Sequence, residues 1–144
     1  MQQTYSQETL DLLLKAIKGD RSVFDRLINI EKCPELAAFC SAIKGDESAA
    51  MWLKARVSRD WWLLVGAIND DELALETLKR KENKFEVSFV LACQGRNEGK
   101  YWLEKNGYSN FVPICQAIED LGKSRNGLLR AIYKPDTRFY GSRN

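Results

Sequence analysis

The sequence predicts an all-α protein, an α-solenoid of about five stacked helix-turn-helix repeats of 25–26 residues. The first observation is a segment that occurs twice, because residues 16–20 and residues 42–46 both read Ala-Ile-Lys-Gly-Asp. Weaker copies follow, and the first alanine of each copy, called here the landmark alanine, recurs after 26, 25, 25 and 25 residues. The landmark alanines are Ala16, Ala42, Ala67, Ala92 and Ala117. Self-similarity at a fixed period of this size is typical of stacked supersecondary units.

Apolar residues recur at fixed distances from the landmark alanine, which is the second observation. A leucine stands eleven residues after each of them: Leu27, Leu53, Leu78, Leu103 and Leu128. Three residues before each of them stand Leu13, Phe39, Leu64, Phe89 and Ile114. Positions three before, at and one after the landmark lie on one side of a helix with 3.6 residues per turn. Each unit is therefore expected to begin with a helix that is buried along this side.

Turn signals separate this first helix from a second one, which is the third observation. In units one, two and four a glycine stands three residues after the landmark, where a left-handed residue closes a helix without a Cβ penalty. These glycines are Gly19, Gly45 and Gly95. Asp20, Asp46 and Asp71 follow, and they are suited to cap a second helix that is buried at positions seven, eight and eleven after the landmark. Gly99 weakens this pattern in the fourth unit.

The units follow one another along a single domain, residues 1–144. After a polar lead-in over residues 1–9, the repeats span approximately 10–34, 36–60, 61–85, 86–110 and 111–134, with a tail over 135–144. In the last unit residues 120–123 replace the Gly-Asp turn, and a second helix is expected over about 124–133. We therefore expect about ten short helices in five pairs, forming a right-angled to gently curved stack whose end units act as caps. Helices of roughly 8–12 residues are unstable alone, so the stacking of pairs has to stabilise them.

Composition bounds the function. With 44% hydrophobic and 29% charged residues, no apolar run near 20 residues and no signal peptide, the chain is expected to be a soluble, cytoplasmic protein. It has no histidine and no Cys-x-x-Cys pair, which argues against a metal, a cofactor and the commonest general base. We therefore expect no enzyme. Three of the four cysteines, Cys40, Cys93 and Cys115, occupy apolar repeat positions and are expected to be small buried hydrophobes.

The helix pair resembles that of the ankyrin repeat, in which a leucine stands four residues before an alanine, a glycine three after it and a leucine eleven after it. The matching residues are Leu12, Ala16, Gly19 and Leu27, then Ala42, Gly45 and Leu53, then Leu63, Ala67 and Leu78. Residues 103–107, Leu-Glu-Lys-Asn-Gly, resemble the end of the family's second helix. The resemblance covers residues 10–130, but the family's period of about 33 residues, its β-hairpin fingers and its Thr-Pro-Leu-His start are missing. It implies protein binding and no activity.

The ridge of each first helix, at positions five and one before and two after the landmark, is the first candidate binding surface. Along the stack it changes from basic, through apolar, to amide and acidic. Its candidate partner-binding residues are Trp62, Val87, Leu91, Val112, Lys15, Lys18 and Lys44. Trp61 falls on the core side, whereas Trp62 is the better binding candidate. Large apolar residues on an exposed ridge indicate a protein partner, and the alternative is that the first helices are buried on every side.

The C-terminal segment is the second candidate surface. Residues 121–144 carry six basic residues against one acidic residue, whereas residues 1–120 carry 16 against 19. The candidate residues are Arg130, Lys134, Arg138, Tyr140 and Arg143. Basic residues interleaved with aromatic ones are typical of a surface for nucleic acid or an acidic partner. The alternatives are a solvated last helix with a loose tail, or a tail that folds back onto the acidic body.

Overall fold

A computed structural model describes the backbone of residues 5–132 and the side chains of residues 5–123. This part of the chain contains helices and turns and no strand. Its nine helices are α1 (Gln7–Ile17), α2 (Val23–Asp25, continued by a π-helical turn, Arg26–Ile30), α3 (Pro34–Ile43), α4 (Glu47–Arg56), α5 (Arg59–Ile68), α6 (Glu72–Arg80), α7 (Lys84–Cys93), α8 (Asn97–Lys105) and α9 (Val112–Ile132, preceded by a 3-10 turn, Ser109–Phe111). The predicted all-α class is confirmed.

The helices pack in neighbouring pairs. The inner helices, α1, α3, α5, α7 and α9, each pack on the next inner helix, and α9 packs on α1. The inner helices therefore close into a ring. The outer helices α4, α6 and α8 each contact the inner helices before and after them. This differs from the expected open stack, in which the first and last units lie at opposite ends.

An aromatic cluster inside the ring gives the reason for closure. Phe39 on α3 and Phe89 on α7 lie two units apart, yet their ring centroids are 6.2 Å apart in an edge-to-face arrangement. Phe39 also meets Trp61 of the intervening unit at 6.0 Å. A second row of large apolar residues widens the buried side of the inner helices: Leu10, Leu36, Trp61, Phe85 and Phe111. A side this wide cannot be covered by neighbours in a line, whereas a closed ring buries it at the centre.

The burial pattern follows the predicted repeat positions. All five landmark alanines are buried, as are the residues three positions before them. Leu27, Leu53, Leu78 and Leu103 each have no exposed surface. Ile68 departs from the pattern, because it is only half-buried.

The turns between inner and outer helices use one hydrogen-bonding scheme. At the end of α3, the Gly45 amide donates to the Ala42 carbonyl at 3.0 Å and the Asp46 amide donates to the Ser41 carbonyl at 3.1 Å. Gly45 has a φ of 109°, in the left-handed region where a glycine costs nothing. Asp46 then caps α4, since its Oδ1 accepts from the amides of Ser48 and Ala49 at 3.0 and 3.2 Å. Both signals in the sequence thus have the predicted roles.

The π-helical turn in α2 accounts for the longer first period. The Cys33 amide donates to the Leu27 carbonyl at 2.8 Å across six residues, whereas the Ser58 amide donates to the Leu53 carbonyl at 3.0 Å across five. A π-bulge inserts one residue into a helix. The spacing of 26 residues instead of 25 is therefore absorbed inside α2, and Leu27 remains buried.

Two sequence expectations need correction. Gly99 does not weaken the fourth unit, because it is buried where α8 comes closest to α7, and a Cβ there would lie 2.4 Å from the Ser88 carbonyl oxygen. The fifth unit is not a helix pair, because α9 is continuous from Val112 to Ile132. The physical reason is that this unit has neither the glycine of units one, two and four nor the capping aspartate of units one, two and three. Leu121 stands at the position of that aspartate and packs against the core as part of α9.

We predict that Gly99→Ala lowers the free energy of unfolding by about 2–4 kcal/mol, because the new methyl group meets backbone atoms that cannot move aside. The matched control is Gly66→Ala within α5. A Cβ at Gly66 lies at an ordinary 3.4 Å from the Ala74 Cβ, and the helix gains up to about 1 kcal/mol. Urea unfolding measures both changes. Equal effects of the two substitutions would contradict the close packing of α7 and α8.

A second prediction concerns the Asp46 cap. A hydrogen bond from Ser48 holds the pKa of Asp46 below its usual range, so its stabilising effect is complete above about pH 4 and disappears as the pH falls through the folded-state pKa. Asp46→Ala should therefore cost about 1 kcal/mol at pH 7 and much less at pH 2.5. Urea unfolding at the two pH values measures the difference, and a cost that does not change with pH would argue against a carboxylate cap.

Candidate functional site

A cleft of about 260 Å³ lies between outer helices α4 and α6, and inner helix α5 forms its floor. We call it the Trp62 cleft. Its lining residues are Ala42, Asp46, Glu47, Ala50, Trp62, Val65, Gly66, Asn69, Asp70, Asp71 and Ala74. Small side chains leave the space open, because Ala50, Gly66 and Ala74 stand where the helices approach one another.

Four carboxylates line this cleft, and no cationic side chain is among its lining residues. Asp46 and Asp71 cap α4 and α6, so each has one oxygen bound to backbone amides. Neither Glu47 nor Asp70 forms an ion pair with another residue of the described part of the chain. Among the described residues, the one nearby cation is the Lys54 ammonium over the Trp62 ring, so the acidic residues outnumber the basic one at this cleft.

Asp70 reaches the cleft through an unusual backbone. It stands where units one, two and four have glycine, and its φ of 72° is in the left-handed region. Its amide donates to the Ala67 carbonyl at 3.1 Å, as glycine does in the other units. An aspartate in this conformation costs roughly 1 kcal/mol relative to glycine. The turn of unit three is therefore less stable than a glycine turn, and it places the Asp70 carboxylate at the mouth of the cleft.

Trp62 forms part of the floor. It is half-buried and packs against the core, whereas its neighbour Trp61 is almost fully buried inside the ring. The Nζ of Lys54 lies 4.2 Å from the centroid of the Trp62 ring, which is within range of a cation–π interaction. The division of the two tryptophans between core and surface agrees with the sequence prediction, although Trp62 is only partly accessible.

Asn69 forms the end wall of the cleft. Its Nδ2 donates to the Ala42 carbonyl at 3.4 Å, which links units two and three and fixes the orientation of the amide. Lys44, at the same repeat position one unit earlier, donates in the same way to the Ala16 carbonyl at 3.0 Å. The Oδ1 of Asn69 is buried and accepts no hydrogen bond from the described residues. An unpaired buried acceptor costs about 1–3 kcal/mol.

The other ridge residues do not share this cleft. The ridge residues two after the landmark, Asn69, Gln94 and Glu119, line a second cleft of about 240 Å³ at the C-terminal ends of the inner helices. Val87 lies in a separate open groove of about 440 Å³, with Trp102 and Ser88. Leu91 and Val112 are half-buried, while Lys15 on α1 and Lys18 just after its end are exposed.

The basic C-terminal candidates fall at or beyond the end of the described residues. The backbone of Arg130 is part of α9, but its side chain is outside the described side chains, which end at residue 123. Lys134, Arg138, Tyr140 and Arg143 lie outside the described residues. The predicted basic surface is therefore not located by the structure.

The cysteines show no reactive arrangement within the described residues. Cys40 and Cys115 have no exposed surface, and burial raises the pKa of Cys93 well above its ordinary value, with the neighbouring Cys115 adding to this effect. Residues 5–123 bring no group of three metal-ligating side chains together.

No helix described here has both the length and the apolar character needed to cross a bilayer.

Sequence reasoning separated residues that the fold brings together. The sequence patterns assigned Asp71 to a helix cap and gave no binding role to Glu47, Asn69 or Asp70. The one signal that marks Asp70 is that it replaces glycine at the repeat's turn position.

No known protein family, curated protein or solved structure matches this chain. The resemblance to the ankyrin repeat therefore stays a prediction from the sequence. The case for a functional site depends on the geometry of the cleft.

We predict that Asp70→Gly raises the free energy of unfolding by roughly 0.5–1 kcal/mol, because glycine adopts the left-handed backbone without the cost that aspartate has. Glycine also makes the unfolded chain more flexible, which offsets part of this gain. The control is Glu76→Gly in the exposed middle of α6, which should lower the free energy of unfolding by about 1 kcal/mol. Thermal and urea unfolding measure both. A destabilised Asp70→Gly variant would show that the Asp70 carboxylate itself stabilises the fold.

Proposed function

We propose that this chain is a non-catalytic protein-interaction module that binds an extended segment of a partner protein in the Trp62 cleft. The observation that supports this is the combination, in one open cleft, of an aromatic floor with polar groups that lack protein partners. Tryptophan in a concave site is a residue type that contributes strongly to protein binding. A volume of about 260 Å³ is below the usual 300–1,000 Å³ of small-molecule sites, and it suits one or two side chains of a segment.

The chemistry of the carboxylates favours binding over catalysis. Asp46 and Asp71 are occupied in helix capping, which explains their position without a reaction. Histidine is absent from the whole sequence. The four acids are thus better suited to attract a ligand than to transfer protons.

We also infer that the units are shortened, ankyrin-like repeats. The support is that the same pair of turn hydrogen bonds follows α1, α3, α5 and α7. The partner then contacts the ridge of the inner helices between successive outer helices, and unit three provides the main contact.

The test is a selection of random twelve-residue peptides displayed on phage, with the wild-type protein as bait. We expect enriched peptides to bind in the micromolar range and to lose at least tenfold in Kd on the Trp62→Ala variant. Trp102→Ala is the matched control, because it removes another half-buried tryptophan outside the cleft, and it should bind the same peptides as the wild type does.

Circular dichroism and thermal unfolding establish that both variants are folded. If the enriched peptides bind Trp62→Ala as tightly as the wild type, the cleft is not the binding site. If no peptide is enriched above a bait-free control, the protein is not a module for linear segments.

A further inference from the structure

The charge of the Trp62 cleft indicates what kind of side chain it holds. Glu47 and Asp70 bring two carboxylates without ion-pair partners in the described part of the chain, and the capping residues Asp46 and Asp71 add two more. Like charges brought together in a cleft repel one another unless a cation enters. The complementary ligand is therefore positively charged.

An internal cation already contacts the Trp62 ring. The ammonium group of Lys54, on α4, lies over the Trp62 ring at 4.2 Å from its centroid. This contact is independent of the carboxylates, and it identifies the ring as a platform for a cation. A ligand cation that stacks on the same face has to displace Lys54, which is on an exposed position of its helix and can return to solvent.

The third observation is the unpaired acceptor. The Asn69 Oδ1 is buried, has no hydrogen-bond donor among the described residues, and belongs to a side chain that lines the cleft. This oxygen has almost no accessible surface, so a ligand donor reaches it only when the Asn69 side chain rotates toward the cleft. Guanidinium presents five N–H donors in a plane and also stacks on aromatic rings, whereas an ammonium group is a compact and strongly hydrated point charge.

From these three observations we propose that the Trp62 cleft binds an arginine side chain of the partner segment, stacked on Trp62, with donors to the cleft carboxylates and to Asn69. This inference rests on the proposed function, and it names the chemical class of the partner. Lys54 acts as the internal competitor for the Trp62 ring.

The probe is an acetylated nine-residue peptide of glycine, serine and alanine with one central arginine. Two matched peptides replace that arginine with lysine or with citrulline, which has the same shape and no charge. Titrations are followed by the NMR signals of the Trp62 indole N–H and the Asn69 side-chain amide. We expect both signals to shift with the arginine peptide, with Kd at least tenfold weaker for citrulline and several-fold weaker for lysine.

Protein variants test each contact. The double variant Glu47→Gln/Asp70→Asn removes two charges, and asparagine tolerates the left-handed backbone at position 70. It should weaken the arginine peptide at least tenfold, whereas Glu76→Gln/Glu104→Gln, on exposed positions of α6 and α8, should leave it unchanged. Lys54→Gln should tighten binding two- to fivefold, because the competitor is gone.

The outcomes separate the two proposals. If selected peptides depend on Trp62 but citrulline binds as well as arginine, the cleft binds segments without an arginine anchor, and this inference is overturned while the proposed function stands. If concentration-dependent association of the protein is abolished by Glu47→Gln/Asp70→Asn, the occupant is a second copy. If Lys134→Gln/Arg138→Gln/Arg143→Gln tightens peptide binding tenfold, the occupant is the chain's own basic segment. Either result overturns the assignment to a partner protein.

Discussion

The contact between Phe39 and Phe89 holds the five inner helices in a closed ring, and the rest of the structure follows from that closure. Edge-to-face packing of aromatic rings from units two apart requires that the helices converge on one axis. A line of stacked pairs would separate these units by a whole layer. Closure gives the small chain one continuous core, so helices of about ten residues are held by packing on several sides.

Closure also decides where a ligand can bind. Because the centre of the ring is filled, the flanks of the inner helices are accessible between the outer helices. The width of each gap depends on the side chains that line it. In unit four Gly99 allows α8 to approach the backbone of α7. Between units two and three, the side chains of Ala50, Gly66 and Ala74 are too small to fill the space between α4 and α6, and the Trp62 cleft remains.

Unit three combines these features with a change in turn chemistry. The repeat places glycine at the left-handed position in three units, and Asp70 occupies it here. The substitution gives up stability and places a carboxylate beside the half-buried Trp62 and the unpaired Asn69 oxygen. Residues that are unfavourable for folding and carry unpaired charge are typical of binding sites.

The sequence by itself determined the all-α class, the turns of the first four units and most of the core, because these depend on residues near one another in the chain. Gly45 and Asp46 are recognisable wherever the unit packs, and Leu53 is buried in its own helix pair. Only the tertiary structure decided the closure of the ring, the continuity of α9 and the cleft around Trp62. Closure depends on the width of the apolar face of the inner helices, because a wide face cannot be covered by neighbouring helices that lie in a line. The cleft joins side chains from α4, α5 and α6. The distance between these helices depends on the combined volumes of side chains from all three, and no local sequence pattern specifies it.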